Sequence, residues 1–157
     1  MAYQKLQVSR AITIIPSNFA NIPSPAIIRQ ATNTSVVPSE LEDVNADFIA
    51  LNVAVGDVVY NTTTSTAATI TQVIDNTRLL LNNNIFLAAG NSYTIYTQNT
   101  NNEGCVLYIG TGGDVRVGTH AGDDTVFSNL LGGTFFPVQV LKVFATGTTS
   151  TKIVALW

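Results

Sequence analysis

The chain has 157 residues, 46% of them hydrophobic but only 11% charged, and a net charge of −3. Soluble domains usually carry about a quarter charged residues. The acidic balance leaves no basic stripe for nucleic acid and no cationic cluster for a membrane surface, so neither partner is expected.

Thr, Asn, Ser and Gln fill the polar positions instead. These side chains can be buried once hydrogen-bonded. Two readings follow: a monomer with a Thr/Asn surface, or a subunit whose surface is partly covered in an oligomer. The opening Met1–Lys5 is followed by no long apolar run, so no export signal is expected and synthesis in a cytoplasm is. No apolar run approaches the length of a membrane-spanning helix.

Residues 1–45 read as an extended arm. Ala11–Ile15 is a short apolar strand, and Pro16, Pro23, Pro25 and Pro38 exclude a regular helix. Ile12, Ile14, Ile15, Phe19, Ile27 and Ile28 are costly to leave wet, so the arm lies against something. It folds either onto its own domain or onto a neighbouring subunit.

Residues 46–97 read as a small β module. Ala46–Asn52 has the look of one helical turn, with Asn52 suited to a left-handed end. Val55–Asn61 reads as a turn followed by a strand, and further strands are expected at Ala67–Val73, Arg78–Leu81 and Ser92–Tyr96, separated by turn residues. Glu40, Glu42 and Asp43 read as a solvated acidic turn. Gln98–Asn102 is a polar linker.

Residues 103–157 read as a β-sandwich-like module. Val106–Ile109, Val115–Val117, Thr125–Phe127, Phe135–Phe144 and Lys152–Trp157 are its strands. Gly110–Asp114 reads as a hairpin turn; it lacks the Lys-Ser/Thr of a phosphate loop and precedes a strand. Phe135–Phe144 is apolar on both faces, with Val138, Val140 and Phe144 on one and Leu141 and Val143 on the other. Such a strand fits a sandwich core, or a sheet whose outer face meets another subunit. The fold class is therefore all-β: small antiparallel modules of barrel or sandwich type with an extended N-terminal arm.

Chemistry is sparse. His120 is the one histidine and Cys105 the one cysteine, too few for a zinc set or a nucleophile–base pair. His120 is expected in an exposed loop and Cys105 as a buried hydrophobe. Asp114, Asp123 and Asp124 match no calcium loop. No catalytic residue, cofactor or metal is expected, and no enzyme.

The strands and turns from Leu107 onward resemble small structural proteins of tailed phages. The residues that carry this are Leu107–Val117, Gly122–Phe127, Phe136–Val140 and Val143–Trp157; Val55–Thr63, Ile85–Phe86 and Tyr93–Tyr96 resemble a β module of the same proteins, particularly those of aquatic phages. The resemblance implies a virion component, often oligomeric. A capsid decoration (cement) or head-spike-base protein is expected, a homotrimer bound to the major capsid or other virion proteins. A neck, tail or baseplate component is the alternative. A carbohydrate-binding module is another, with Tyr93, Tyr96 and Tyr108 as platform candidates. Contacts are expected through Ile12, Ile14, Ile15, Phe19, Phe136, Val138, Val140, Phe144 and Trp157.

Overall fold

The computed structural model describes residues 8–101 and 103–157. Among them it holds twelve strands and no helix, in two antiparallel sheets. The all-β class expected from the sequence is the class observed.

The chain divides into a central unit, Ile15–Asn101, and a terminal unit that joins residues up to Ile14 with those from 102 to Trp157. In chain order, the terminal unit supplies β1 (Ala11–Thr13). The central unit supplies β2 (Ile27–Thr32), β3 (Glu40–Glu42), β4 (Val58–Asn61), β5 (Thr66–Val73), β6 (Arg78–Leu81) and β7 (Ser92–Tyr96). The terminal unit resumes with β8 (Cys105–Thr111), β9 (Gly113–Thr119), β10 (Asp124–Leu130), β11 (Thr134–Val143) and β12 (Thr151–Leu156).

The central sheet runs β2-β7-β4-β5-β6-β3. Its edge strands β2 and β3 are consecutive in the chain, and the Thr34 N–H bonds the Glu42 carbonyl at 2.8 Å. The sheet therefore curls towards closure. Val59, Ala68, Ile70, Tyr93 and Ile95 face a core shared with Leu41, Phe48, Leu79 and Phe86. Val58, Tyr60 and Ala67 point the other way and pack with Ala20, Ile15 and Tyr96. This is why all of β4 is buried: both faces of the strand are covered.

Part of that cover comes from the segment expected to be an arm. Residues 1–7 lie outside the described residues; the rest is extended, as read, but does not stand apart. It supplies β1, β2 and β3, and residues 15–22 lie on the central sheet. The Ser17 hydroxyl is buried and donates to the Ala67 carbonyl at 3.0 Å. Ile14, Ala20 and Ile22 thus pack within their own chain, the less costly place for them, while Phe19 and Ile27 stay exposed. The expected helical turn is present: Leu51 N–H bonds Asp47 C=O, the Asp47 side chain accepts from Ala50 N–H, and Asn52 has φ 56°.

The terminal sheet runs β1-β12-β8-β11-β9-β10. Here the hairpin reading of Gly110–Asp114 fails. β8 and β9 do not pair with each other; both pair with β11, which β8 meets from Thr134 and β9 from Val140 onward. Gly112 alone separates them, so the chain turns a corner and the sheet folds over β11. A Cβ at Gly110 would collide with the Lys152 carbonyl, and one at Gly112 would come within 2.7 Å of the Leu130 carbonyl. The glycines permit close backbone approach.

β11 differs from the two-faced strand expected. Its register shifts between Phe136 and Val140, around Pro137, and again between Val140 and Lys142. A proline cannot donate to a ladder and sits at such irregularities. The shifts bring Phe136, Val140 and Val143 all to buried positions, while Val138 and Leu141 are half-buried. The apolar run serves one core through a bulged strand.

Candidate functional site

The nine contact candidates separate by burial. Ile14, Phe136 and Val140 are buried in the fold of the chain itself, which corrects their assignment to a contact surface. Phe136 meets the Phe127 ring edge-on at 4.7 Å. Ile12, Ile15, Val138, Phe144 and Trp157 are half-buried. Ile15 belongs to the packing on β4. The Phe144 ring lies 4.5 Å from the Arg116 guanidinium and 4.9 Å from the Lys142 ammonium. Trp157 is tied by its backbone to Ser9 and Arg10.

Phe19 is 47% exposed, and its backbone is held firmly. Its N–H donates to the Ser17 hydroxyl at 3.0 Å, and its carbonyl accepts from Thr69 Oγ1 at 3.0 Å and Asn82 Nδ2 at 2.7 Å. The ring is therefore presented on a fixed loop, at small ordering cost to any partner. Ser17 immediately after Pro16 is the sequence signal for this clamp.

Sequence reasoning missed the apolar surface at the β10–β11 turn. Phe135 is 65% exposed and Leu131 75%. Phe135 stands directly opposite Tyr108 on β8, and their rings meet edge-on at 5.6 Å. The Thr134 hydroxyl donates to the Leu131 carbonyl at 2.7 Å, bracing the turn. Of the platform tyrosines, Tyr108 is half-buried and has its ring against an exposed one. Tyr93 is buried, and Tyr96 is half-buried with its ring 5.1 Å from that of Tyr60.

The acidic run at residues 40–43 is not a solvated turn. Glu40–Glu42 is β3, and Asp43 is buried in a polar cluster. The Arg29 guanidinium donates to Asp43 Oδ2 at 2.6 Å through Nη2 and 3.1 Å through Nε. The Tyr93 hydroxyl donates to the same oxygen at 2.6 Å, and Asn45 N–H to Oδ1 at 3.0 Å. Burial works to raise the Asp43 carboxyl, but the bonds from Tyr93, Arg29 and Asn45 outweigh it and hold it below the usual range. Burial first, then the Asp43 bond, pushes the Tyr93 phenol well up. Residues fourteen and fifty apart carry no spacing signal, so the sequence could not announce this cluster.

The remaining reactive groups are quiet. Burial pushes the Cys105 thiol up to about 12. His120 is exposed in the turn after β9. Asp124 forms a salt bridge with Arg116 at 2.7 Å, and among the described residues no cluster of three metal-ligating side chains occurs. The chain matches no protein-family model, no curated protein and no solved structure.

Proposed function

We propose that this chain is a non-enzymatic structural subunit of a phage particle, a capsid decoration or head-spike-base protein that attaches to major capsid or other virion proteins and to copies of itself. The observation that carries the reading is the exposed Phe135 ring, backed by Tyr108 and flanked by Leu131, on a surface with few charges. Large apolar groups held outward on a rigid strand contribute binding free energy when covered, at about 25 cal/mol per Å² before ordering costs. The pinned Phe19 is a second such anchor. The strand-and-turn pattern from Leu107 onward, which resembles that of tailed-phage structural proteins, supports the assignment to a phage particle.

The test is binding of the purified chain to particles that lack it, followed by cryo-EM. Density for its β units on the particle, with attachment weakened by Phe135→Ser and Phe19→Ser, is the expected result. Absence of the chain from purified particles, or attachment indifferent to both changes, overturns the reading. The Tyr108–Phe135 pair also favours one second reading, a carbohydrate-binding module, because sugar rings stack on exposed aromatic faces. Glycan-array binding lost in Phe135→Ser would promote it.

A further inference from the structure

β10 is an edge strand with β9 as its partner among the described residues, and it is exposed or half-buried throughout. Its hydrogen-bonding groups divide by side. Val126 stands opposite Arg116. The Arg116 N–H goes to Thr148 Oγ1 at 3.0 Å and its carbonyl accepts from Phe144 N–H at 2.9 Å, both away from β10. In an antiparallel ladder one residue aims both backbone groups to the same side, and successive residues alternate. Arg116 and Val126 are thus a non-hydrogen-bonded pair. By that alternation Asp124 and Val126 aim their N–H and C=O groups outward, and Ser128 follows them at the start of the bulge.

Open edges invite pairing unless something blunts them. The other edges are blunted. β1 and β3 are three residues long, and β3 carries Glu40 and Glu42. β2 carries Arg29 and a register shift beside it. β10 has no proline and no lysine, and its charged residue, Asp124, is already bonded to Arg116.

The strand's own layout selects a second copy as the occupant. The register with β9 is regular through Phe127 and shifts between Phe127 and Leu130, with Asn129 at φ 58°, so Ser128 is the last residue before the backbone turns. What remains, 124–128, is centred on Val126. Two copies set antiparallel about a twofold axis at Val126 place Val126 opposite Val126 and Asp124 opposite Ser128. Each outward donor then meets an outward acceptor, and no like charges face each other. The Val126 side chain, 47% exposed, gains its counterpart as a cross-strand neighbour.

We infer that 124–128 of β10 is a self-association seam through which two copies of this chain join their terminal sheets antiparallel. This rests on the subunit reading above and names its self-contact. Such a pair closes at two copies, so it makes a dimer where a trimer was expected.

Sedimentation equilibrium of the full chain at micromolar concentration, with amide hydrogen exchange, tests it. The expected result is a dimer whose Val126 and Ser128 amides exchange more slowly as concentration rises. Val126→Lys sets two ammonium groups together on the axis and should raise the dissociation constant at least about tenfold. Val126→Pro removes an outward donor without touching the β9 ladder and should do the same. Lys at an exposed side chain keeps the test open if the proline variant fails to fold. A monomeric wild-type chain, or an oligomer whose mass neither change alters, overturns the seam. Particle attachment is read separately: a wild-type monomer that still attaches overturns the seam and leaves the subunit reading standing.

Discussion

Arg29 and Asp43 meet at 2.6 Å across the central unit, with the carboxylate 1% exposed and the guanidinium nearer the surface. The Tyr93 hydroxyl completes the shell on the same oxygen. Removing one partner of a buried pair leaves an uncompensated charge, which costs about 3–5 kcal/mol. Asp43→Ala is therefore expected to lower the stability of the central unit by about 3 kcal/mol. Tyr93→Phe, which deletes the bond donated to Asp43 and the one accepted from Arg29 Nε at 2.9 Å, should cost about 1.5–3 kcal/mol. Urea unfolding followed by circular dichroism measures both. Trp157, the one tryptophan, reports on the terminal unit, so its fluorescence midpoint serves as the internal control. A loss below about 1 kcal/mol for Asp43→Ala would mean that the cluster does not hold the sheet.

The same carboxylate sets an acid limit. Its folded pKa lies below the unfolded value of about 3.9. A group depressed in this way contributes stability that is fully present above the unfolded pKa. The contribution is lost as pH falls through the lower folded value. The urea midpoint of the central unit should thus be level from pH 7 to about 5 and fall steeply below about 4. Asp43→Asn should start lower and show a shallower fall. Parallel curves for the two proteins would assign the acid sensitivity to other carboxylates.

Cys105 behaves oppositely. Burial holds its thiol pKa up at about 12, so the neutral form is favoured in the fold. Its contribution is present below the unfolded value of about 8.5 and is lost as pH rises towards the folded one. Because the thiolate is the reacting species, a thiol reagent at pH 8 should modify the native chain at least about a hundredfold more slowly than the urea-unfolded chain. Rapid labelling of the native protein would show that β8 opens locally or that the thiol is not enclosed.

The strands that sequence could place are those whose residues alternate between turn signals, such as Ala67–Val73 before Asp75-Asn76. Asn52 as a left-handed turn end was also legible, because few non-glycine residues tolerate that backbone. What was hidden depends on contacts between residues distant in the chain. Gly110–Asp114 has hairpin composition, and only the pairing of β8 and β9 with β11 makes it a corner, where the backbone passes close to Lys152 and Leu130. The bulges at Pro137 and Val140 shift the faces of β11, so a period-two count misassigned its buried set. Asp43 looked like one more surface acid because Arg29 and Tyr93 reach it from other strands. The contact surface suffered from the same limit: hydrophobicity picked Phe136 and Val140, and the bulged register turned them inward.

Phe135 and Phe136 are therefore the sharpest test of that register, being adjacent, identical in chemistry and opposite in place. Phe136 is buried against Phe127, and truncation leaves a cavity in the terminal core; Phe→Ala there costs about 3–5 kcal/mol. Phe135 is largely exposed and touches Tyr108 at its edge, an interaction of about 0.5–1.5 kcal/mol. Phe136→Ala should shift the Trp157 fluorescence midpoint strongly, whereas Phe135→Ala should shift it by about 1 kcal/mol or less. Attachment to the particle should respond in the reverse order, after correction for the fraction folded. Similar stability losses at the two positions would place both rings in the core. The exposed anchor on β11 would then have to be sought elsewhere in the β10–β11 turn, beginning with Leu131.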